Sequence, residues 1–238
     1  MKLTSQNFHT RLDNWPEWNT ATNCYFINHL GVDGNKDKFT HNEFEVPGAT
    51  RRTEDGSLVL SAGPLPGGDY IADNGVMLQN YATALISNFY MHTGHLAVEW
   101  TISGRQDVVE AIWFVSPPHY RRGWEKDNIA PEYDALETNT PGHPGKFSSC
   151  YISDYENYSA ASVKKFDYSK ASGKRMRIDI EFCKAFIYQR TSGPIVKSNF
   201  LWRYRVIPMQ MIIWIACPRG SGPLRKKAEL TVHKVDVS

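Results

Sequence analysis

The sequence predicts an all-β protein built as an antiparallel sandwich, and two observations carry this prediction. Short runs rich in β-branched and aromatic residues recur along the 238 residues, and Gly, Pro, Asn and Asp separate them. Helical periodicity is scarce, and no internal repeat divides the chain. Because many strands at short intervals are typical of sandwiches, and no linker splits the chain, we predict a single domain over residues 1–238.

The individual strands are predicted in chain order. Residues 1–46, rich in Trp, Asn and Asp, are expected to form an irregular wrap over a sheet. A turn at 54–56 precedes the first clear strand, and a hairpin turn is expected at 189–194. The predicted strands are 57–61, 75–80, 84–89, 95–103, 108–115, 147–153, 175–182, 185–190, 195–198, 209–216 and 228–237.

Composition and charge disfavour several classes of function. The formal net charge is +2, and the basic run Arg225–Lys227 is too short to indicate a nucleic-acid partner. No apolar run reaches the length of a transmembrane helix, and the amino terminus lacks the apolar core of a signal peptide. The chain has 7 Trp and 12 Tyr, enough rings for a large core and a surplus suited to sugar binding. The chain has no C-x-x-C spacing of the kind that would predict a zinc site. Either disulfides or free thiols are possible for the four cysteines, Cys24, Cys150, Cys183 and Cys217.

Three carboxylates lie within six residues, at Glu132, Asp134 and Glu137, with the spacing E-x-D-x-x-E. In a regular strand, alternation puts Glu132 and Asp134 on one face but puts Leu136 there instead of Glu137. One extra residue, a β-bulge, shifts the phase and brings Glu137 to the same face. Three acids on one face repel each other unless they face water or perform chemistry. Since glycoside hydrolysis needs two carboxyls of unequal pKa, the motif fits either an exposed acidic strand or a catalytic one.

Eight segments, read in order, carry a resemblance to one family of enzymes. They are 55–60, 93–100, 109–114, 132–137, 176–182, 185–190, 209–215 and 232–237. Over about residues 50 to 238 the chain resembles glycoside hydrolase family 16, and the E-x-D-x-x-E motif is the most specific part. The resemblance implies a two-sheet antiparallel β-jelly-roll of the concanavalin A-like type. The chain departs from the usual pattern at Pro131, where Gly is frequent, and at Tyr133, where an aliphatic residue is usual.

The resemblance also implies roles for individual residues. Glu132 is expected to be the nucleophile and Glu137 the general acid and then the base, while Asp134 helps to hold their pKa values apart. This arrangement predicts retention of configuration, with the two glutamate carboxyls about 5 to 5.5 Å apart. For Trp113, a place in the core is an equal alternative to sugar stacking. Substrate binding is expected from four aromatic side chains, Trp113, Tyr120, Trp124 and Tyr151.

The leading hypothesis is an endo-acting, retaining glycosidase on a β-linked polysaccharide of the β-1,3-glucan or galactan type. A lectin-like binding protein is the first alternative, because a fold does not fix a function. A polysaccharide lyase that uses Tyr151 and His143 is a weaker one. No cofactor or catalytic metal is expected, and a structural calcium ion, which some jelly rolls hold, has no supporting motif. We expect a monomer outside the cell whose partner is a polysaccharide, with no nucleic-acid or membrane partner.

Overall fold

The computed structural model describes part of the chain. The described residues are 3, 8–9, 24–26, 49–71, 77–115, 132–139, 146–152, 164–167, 172–183, 186–191, 197–201, 208–218 and 222–238. In these ranges the chain forms strands and turns but no helix, so no helix there could cross a membrane. The strands are β1 (Phe8–His9), β2 (Cys24–Phe26), β3 (Thr50–Arg52), β4 (Leu58–Pro64), β5 (Tyr70–Ile71), β6 (Met77–Leu78), β7 (Asn80–Met91), β8 (Gly94–Thr101), β9 (Val109–Val115), β10 (Glu132–Thr138), β11 (Lys146–Ile152), β12 (Lys164–Asp167), β13 (Arg175–Phe182), β14 (Phe186–Thr191), β15 (Lys197–Leu201), β16 (Met209–Ala216) and β17 (Ala228–Val237).

Fifteen strands of the described residues form one continuous sheet, which folds over into two layers. The first layer, here called the first sheet, has the order β12-β11-β10-β9-β16-β7, and the second layer, the second sheet, has the order β4-β17-β8-β13-β14-β15. The two layers are joined where β4 pairs with β7 through Gly63 and Pro64. Strands β1 and β2 extend the sheets beside β7, β3 pairs with β4, and β5 and β6 form a small separate hairpin. The prediction of an all-β antiparallel sandwich is confirmed.

The core lies between the two sheets and is rich in aromatic rings. Phe114 of β9 is stacked on Tyr133 of β10, with ring centroids 5.7 Å apart. Both rings meet Phe182 of β13 across the sandwich, at 5.1 Å and 6.2 Å. All three side chains are almost fully buried. Because burying one large apolar side chain contributes about 1.5–3 kcal/mol, this cluster is a major tie between the sheet that carries the acids and the opposite sheet.

Several strand and turn predictions are confirmed. The bounds of β13, β16 and β17 are those predicted from the apolar patterns. The turn at 54–56 is present, with Gly56 at a φ of +82° and its N–H donating to Thr53 O at 3.0 Å. Strands β14 and β15 pair in antiparallel fashion, as a hairpin requires, but residues 189–191 of the predicted turn belong to β14. Most of the predicted wrap at 1–46 falls outside the described residues, which hold only β1, β2 and Leu3 there.

One strand prediction is wrong. A break was expected at 81–83, between the strands 75–80 and 84–89, whereas β7 runs without a break from Asn80 to Met91 and Met77–Leu78 form the separate short strand β6. Asparagine is a common turn residue, yet β7 begins at Asn80. In the folded chain Asn80 is fully buried, and its amide accepts from Leu224 N at 2.7 Å and donates to Gly222 O at 3.3 Å. Its polar groups are therefore satisfied by a distant segment, which the local pattern does not reveal.

The structure defines the disulfide state of two of the four cysteines. Cys183 and Cys217 form no disulfide, and Cys217 is buried. The side chains of Cys24 and Cys150 lie outside the described part of the structure. Because two of the four cysteines are in no disulfide, the option of two disulfides is removed.

The end of β10 is anchored by the two residues that follow Glu137. The Thr138 hydroxyl accepts a hydrogen bond from Glu110 N at 2.8 Å. The Asn139 side chain donates to the carbonyls of Arg105 and Val108 at 2.9 Å and 2.7 Å. Asn139 has a φ of +53°, a left-handed conformation that asparagine tolerates better than most residues. These contacts fix the point at which the acidic strand leaves the sheet.

We expect Asn139→Gly to lower the free energy of unfolding by about 1–3 kcal/mol, because two carbonyls lose their donor. Glycine keeps the left-handed φ available, so this variant isolates the hydrogen bonds. Asn139→Ala is expected to lose about 1–2 kcal/mol more from backbone strain, partly offset by its lower chain entropy in the unfolded state. Urea unfolding of the three proteins tests this. A glycine variant as stable as the original protein would contradict the anchoring role.

Candidate active site

The acidic strand β10 carries a β-bulge between Asp134 and Glu137. On the β9 side, Asp134 is opposite Trp113 and Leu136 is opposite Ile112, which leaves Ala135 as the extra residue. On the β11 side, the register also shifts between Asp134 and Glu137. The bulge predicted from the E-x-D-x-x-E spacing is confirmed.

The bulge places the three acids on one face of the first sheet. The β9 residues directly opposite Glu132, Asp134 and Glu137 are, in that order, Val115, Trp113 and Ala111. Directly opposed residues share a face, and so do residues two apart on a regular strand. Because the three β9 residues are spaced by two, the three acids that face them lie together. We call this side of the first sheet the acidic face.

Glu137 has a strongly shifted titration. Burial raises the pKa of Glu137 to about 8, and the neighbouring Asp134 carboxylate adds to the rise because two like charges oppose each other. Glu137 keeps a partly exposed edge, whereas Asp134 is only 6% exposed. At neutral pH Glu137 therefore holds its proton. A carboxyl group that is protonated at pH 7 beside other carboxylates can act as a general acid.

Trp113 and Trp214 form the floor beside the acids. Their ring centroids are 5.4 Å apart with the planes tilted by 52°. Trp113 lies opposite Asp134 and is 4% exposed, so most of its ring is covered. Trp214, opposite Ala111, keeps more exposure. Trp113 thus lies on the acidic face, as sugar stacking requires, and is also well packed, and its part in substrate binding stays a prediction.

The other predicted binding residues have different outcomes. Tyr120 and Trp124 lie outside the described residues. Tyr151 is paired with Tyr133, whose ring points into the core, while Cys150 and Ile152 are the β11 partners of Asp134 and Glu132. The side chain of Tyr151 lies outside the described part of the structure, so its part in substrate binding stays a prediction.

Two further residues are aligned with Glu132 across the strands of the first sheet. Val115 on β9 is opposite Glu132, Gln210 on β16 is opposite Val115, and Tyr90 on β7 is opposite Gln210. We call this line of paired residues the row of Glu132. Gln210 is held by a hydrogen bond from its amide to Ser87 O at 2.7 Å, and Tyr90 is 39% exposed. Neither residue was predicted from the sequence to belong to the site. Only the pairing of distant strands brings them into line with the acids.

A buried glutamine lies behind the bulge, on the core side of β10. Gln189 of β14 has no exposed surface, and its amide donates to Ala135 O at 2.7 Å. The Tyr133 hydroxyl donates to Gln189 Oε1. The extra residue of the bulge is thus held from the opposite sheet. Gln189 was not predicted from the sequence as part of the site, and its one local signal is a polar residue two positions after the inward Ile187.

A serine and a histidine meet elsewhere, on the second sheet. His233 is within hydrogen-bond distance of Ser57 Oγ at 3.0 Å through Nδ1 and of Thr101 Oγ1 at 2.8 Å through Nε2. Burial lowers the pKa of His233. Both ring nitrogens are engaged, so the group is tied into the sheet, and we assign it no catalytic role. Among the described residues, no cluster of three or more His, Cys, Asp and Glu side chains could hold a metal ion.

Comparison with known proteins relates the fold, but not the sequence, to solved structures. No model of a known protein family matches the chain, and no curated protein matches it either. The laminarinase catalytic domain from Thermotoga maritima MSB8 superposes with a TM-score of 0.68 at 12% identity, covering 100% of this chain and 93% of that one. A variant of LamA from Zobellia galactanivorans, in complex with laminaritriose and laminaritetraose, gives 0.69 at 13% identity, covering 98% and 92%. SCLam, a non-specific endo-β-1,3(4)-glucanase from family GH16, gives 0.68 at 12% identity, covering 99% and 85%.

These likenesses extend over nearly the whole length of both chains. The protein therefore has the jelly-roll sandwich fold of these glucanases, as the sequence predicted. At 12–13% identity the likeness concerns the fold, and the argument for function depends on the acidic face itself.

Proposed function

We propose that this protein is a retaining endo-β-glycosidase of glycoside hydrolase family 16 that acts on a β-1,3-linked glucan. The observation that carries the proposal is the bulged strand, which aligns Glu132, Asp134 and Glu137 on one face and keeps Glu137 protonated at neutral pH. The solved structures that share the fold include laminarinases and a lichenase, which act on β-glucans. Their shared chemistry supports a glucan ahead of a galactan.

In the proposed reaction the two glutamates act in two steps. First, a Glu132 carboxylate oxygen bonds to the anomeric carbon while the bond from that carbon to the glycosidic oxygen breaks. Glu137 gives its proton to the departing oxygen. Second, Glu137, now a carboxylate, takes a proton from water, and the water oxygen displaces Glu132 from the anomeric carbon. Two inversions give retention of configuration, and the reaction consumes only water.

Asp134 lies between the two glutamates along the strand and contributes to their difference. Its carboxylate opposes ionisation of Glu137, which keeps the acid protonated before the first step. Once Glu137 has given up its proton, the same repulsion favours taking one back from water. Asp134 therefore supports both halves of the cycle.

Substrate binding is proposed along the acidic face. Trp214 and Tyr90 offer aromatic surface at two points of the face, and Gln210 offers an amide that could bond to sugar hydroxyls. Tyr120 and Trp124, which lie between β9 and β10 in the sequence, are proposed to add to this surface. We keep the proposals of a monomer that needs no cofactor and has no nucleic-acid or membrane partner. A location outside the cell fits a polymeric substrate, which does not cross a membrane unaided.

The test is release of reducing ends from a panel of polysaccharides, with Glu132→Gln as the matched control. The panel consists of laminarin, mixed-linkage glucan, xyloglucan, agarose, carrageenan and alginate. We expect activity on laminarin, oligosaccharide products of intermediate length, and loss of activity in the variant. Proton NMR of the first products should show the β-anomer before mutarotation.

The outcomes separate the alternatives. Inactivity on every polymer, together with binding to one of them that survives Glu132→Gln, would replace the enzyme by a lectin-like protein. Cleavage of agarose or carrageenan alone would keep the mechanism and change the substrate. Cleavage that yields the α-anomer first would overturn the double displacement.

A further inference from the structure

Gln189 is a polar residue at a position where burial is unfavourable for a polar side chain. It lies on β14 between Ile187 and Thr191, and all three side chains have no exposed surface. An amide in such a place loses its bonds to water, which is unfavourable unless other partners replace them. An apolar residue would pack there without that loss. Two hydrogen bonds of the Gln189 amide go to the bulged part of β10.

The first contact involves the carbonyl of the bulged residue itself. A bulge leaves the extra residue outside the regular ladder, and its backbone groups need another partner when they are buried. Ala135 is that residue, it is fully buried, and its carbonyl accepts from Gln189 Nε2 at 2.7 Å. The Gln189 amide, from the opposite sheet, thus holds the backbone of β10 at the bulge.

The second contact orients the amide. The Tyr133 hydroxyl donates to Gln189 Oε1, which directs the amide nitrogen toward Ala135 O. Tyr133 is itself clamped between Phe114 and Phe182 in the core. Tyr133, Gln189 and Ala135 are therefore linked by hydrogen bonds on the core side of β10. Ala135 lies two residues before Glu137.

We propose that Gln189, oriented by Tyr133, is a positioning residue that fixes the bulge of β10 and so sets the place of Glu137 on the acidic face. It touches no substrate and acts only through the backbone at Ala135. The proposal concerns geometry and holds whatever the polymer is, and its consequence for turnover rests on the proposed function. If the backbone at the bulge were less firmly held, Glu137 would move toward solvent and away from Asp134.

The test compares Gln189→Leu and Tyr133→Phe with a matched control, Thr191→Val. Leucine keeps the volume of glutamine but cannot hold Ala135 O, and phenylalanine removes only the hydroxyl that orients the amide. Thr191 is the next inward residue of the same strand, and its buried hydroxyl makes no hydrogen bond within the described part of the chain. The control therefore changes a buried polar group on β14 without touching the bulge.

On laminarin we expect Gln189→Leu to lower kcat by about tenfold to a hundredfold, the scale of a small misplacement of a catalytic group. KM should stay within about twofold, because the residue does not contact substrate. Tyr133→Phe should give a smaller loss in kcat, and Thr191→Val should leave both constants unchanged. Equal losses in Gln189→Leu and Thr191→Val would indicate general loosening of the sandwich and overturn the proposal.

A second readout does not depend on activity. Carbon-13 NMR of the side-chain carboxyls, assigned with Glu137→Gln, gives the pKa of Glu137 in each protein. In Gln189→Leu this pKa should fall from about 8 toward the ordinary value of 4.5, while Thr191→Val keeps it. An unchanged pKa together with unchanged kcat would overturn the positioning role. If the original protein cleaves no polymer, the proposed function fails, and the NMR titration still decides whether Gln189 sets the place of Glu137.

Discussion

Glu137→Gln will lower the cleavage of laminarin by about 10²–10⁴-fold, the contribution typical of a general acid and base. Glutamine keeps the shape of the side chain but has no proton of suitable acidity to give to the glycosidic oxygen. An aryl β-glucoside oligomer with an acidic phenol as its leaving group needs little protonation. Its first step should therefore survive in Glu137→Gln, and initial rates on the polymer and on the aryl substrate measure the difference.

Glu132→Gln is the matched control for this experiment. A nucleophile is needed for either leaving group, so Glu132→Gln should be inactive on both substrates. Azide sharpens the contrast, because it is an anion that attacks without help from a base. With Glu137→Gln it should speed the second step and give a glycosyl azide of retained configuration. If the two variants lost the same activity on both substrates, the assignment of distinct roles to the two glutamates would be wrong.

The sequence alone predicted the bulge, because the evidence for it is local. Three carboxylates at E-x-D-x-x-E spacing fit one face only if one residue is extra, and the paired strands contain that residue at Ala135. The strands β13, β16 and β17 were also predictable, since each has an apolar run with clear ends. Such features depend on neighbours in sequence, where period and turn residues carry the information.

What the sequence did not predict depends on contacts between distant segments. The register of β10 against β11 decides that Cys150, not Tyr151, is opposite Asp134, and a shift by one residue would reverse this. Gln189 is 54 residues from the carbonyl that it holds. Gln210 joins the row of Glu132 only through two strand pairings. Short-range patterns contain no term for such pairings, so these residues emerge only with the fold.

The shifted pKa of Glu137 also predicts how stability depends on pH. The folded chain holds the Glu137 proton up to about pH 8, whereas an unfolded chain releases it near 4.5. Between these values unfolding releases a proton, so rising pH favours the unfolded state. The contribution of Glu137 is therefore complete below pH 4.5 and is lost as the pH rises toward and through 8. Above pH 8 the folded protein must hold a desolvated charge beside Asp134.

Glu137→Gln removes this titration and should change the pH dependence of the melting temperature. The variant's Tm minus that of the original protein should rise steadily from pH 5 to pH 9, since glutamine never has to ionise. Thermal unfolding at half-unit pH steps measures the difference, in which the titration of groups that do not interact with Glu137 cancels. If Glu137 is a catalytic acid whose ionised form is unfavourable in the folded protein, Glu137→Gln should be less active yet more stable at pH 9.

Glu99→Gln provides a control of the opposite sign. Hydrogen bonds from Arg175 and Arg177 lower the pKa of Glu99, so its contribution to stability is present above 4.5 and is lost as the pH falls. The Tm difference for this variant should change at acid pH and stay flat between pH 6 and pH 9. If the difference for Glu137→Gln were equally flat there, Glu137 would be ionised in the folded protein at neutral pH. The general acid would then have to be sought in another residue of the acidic face.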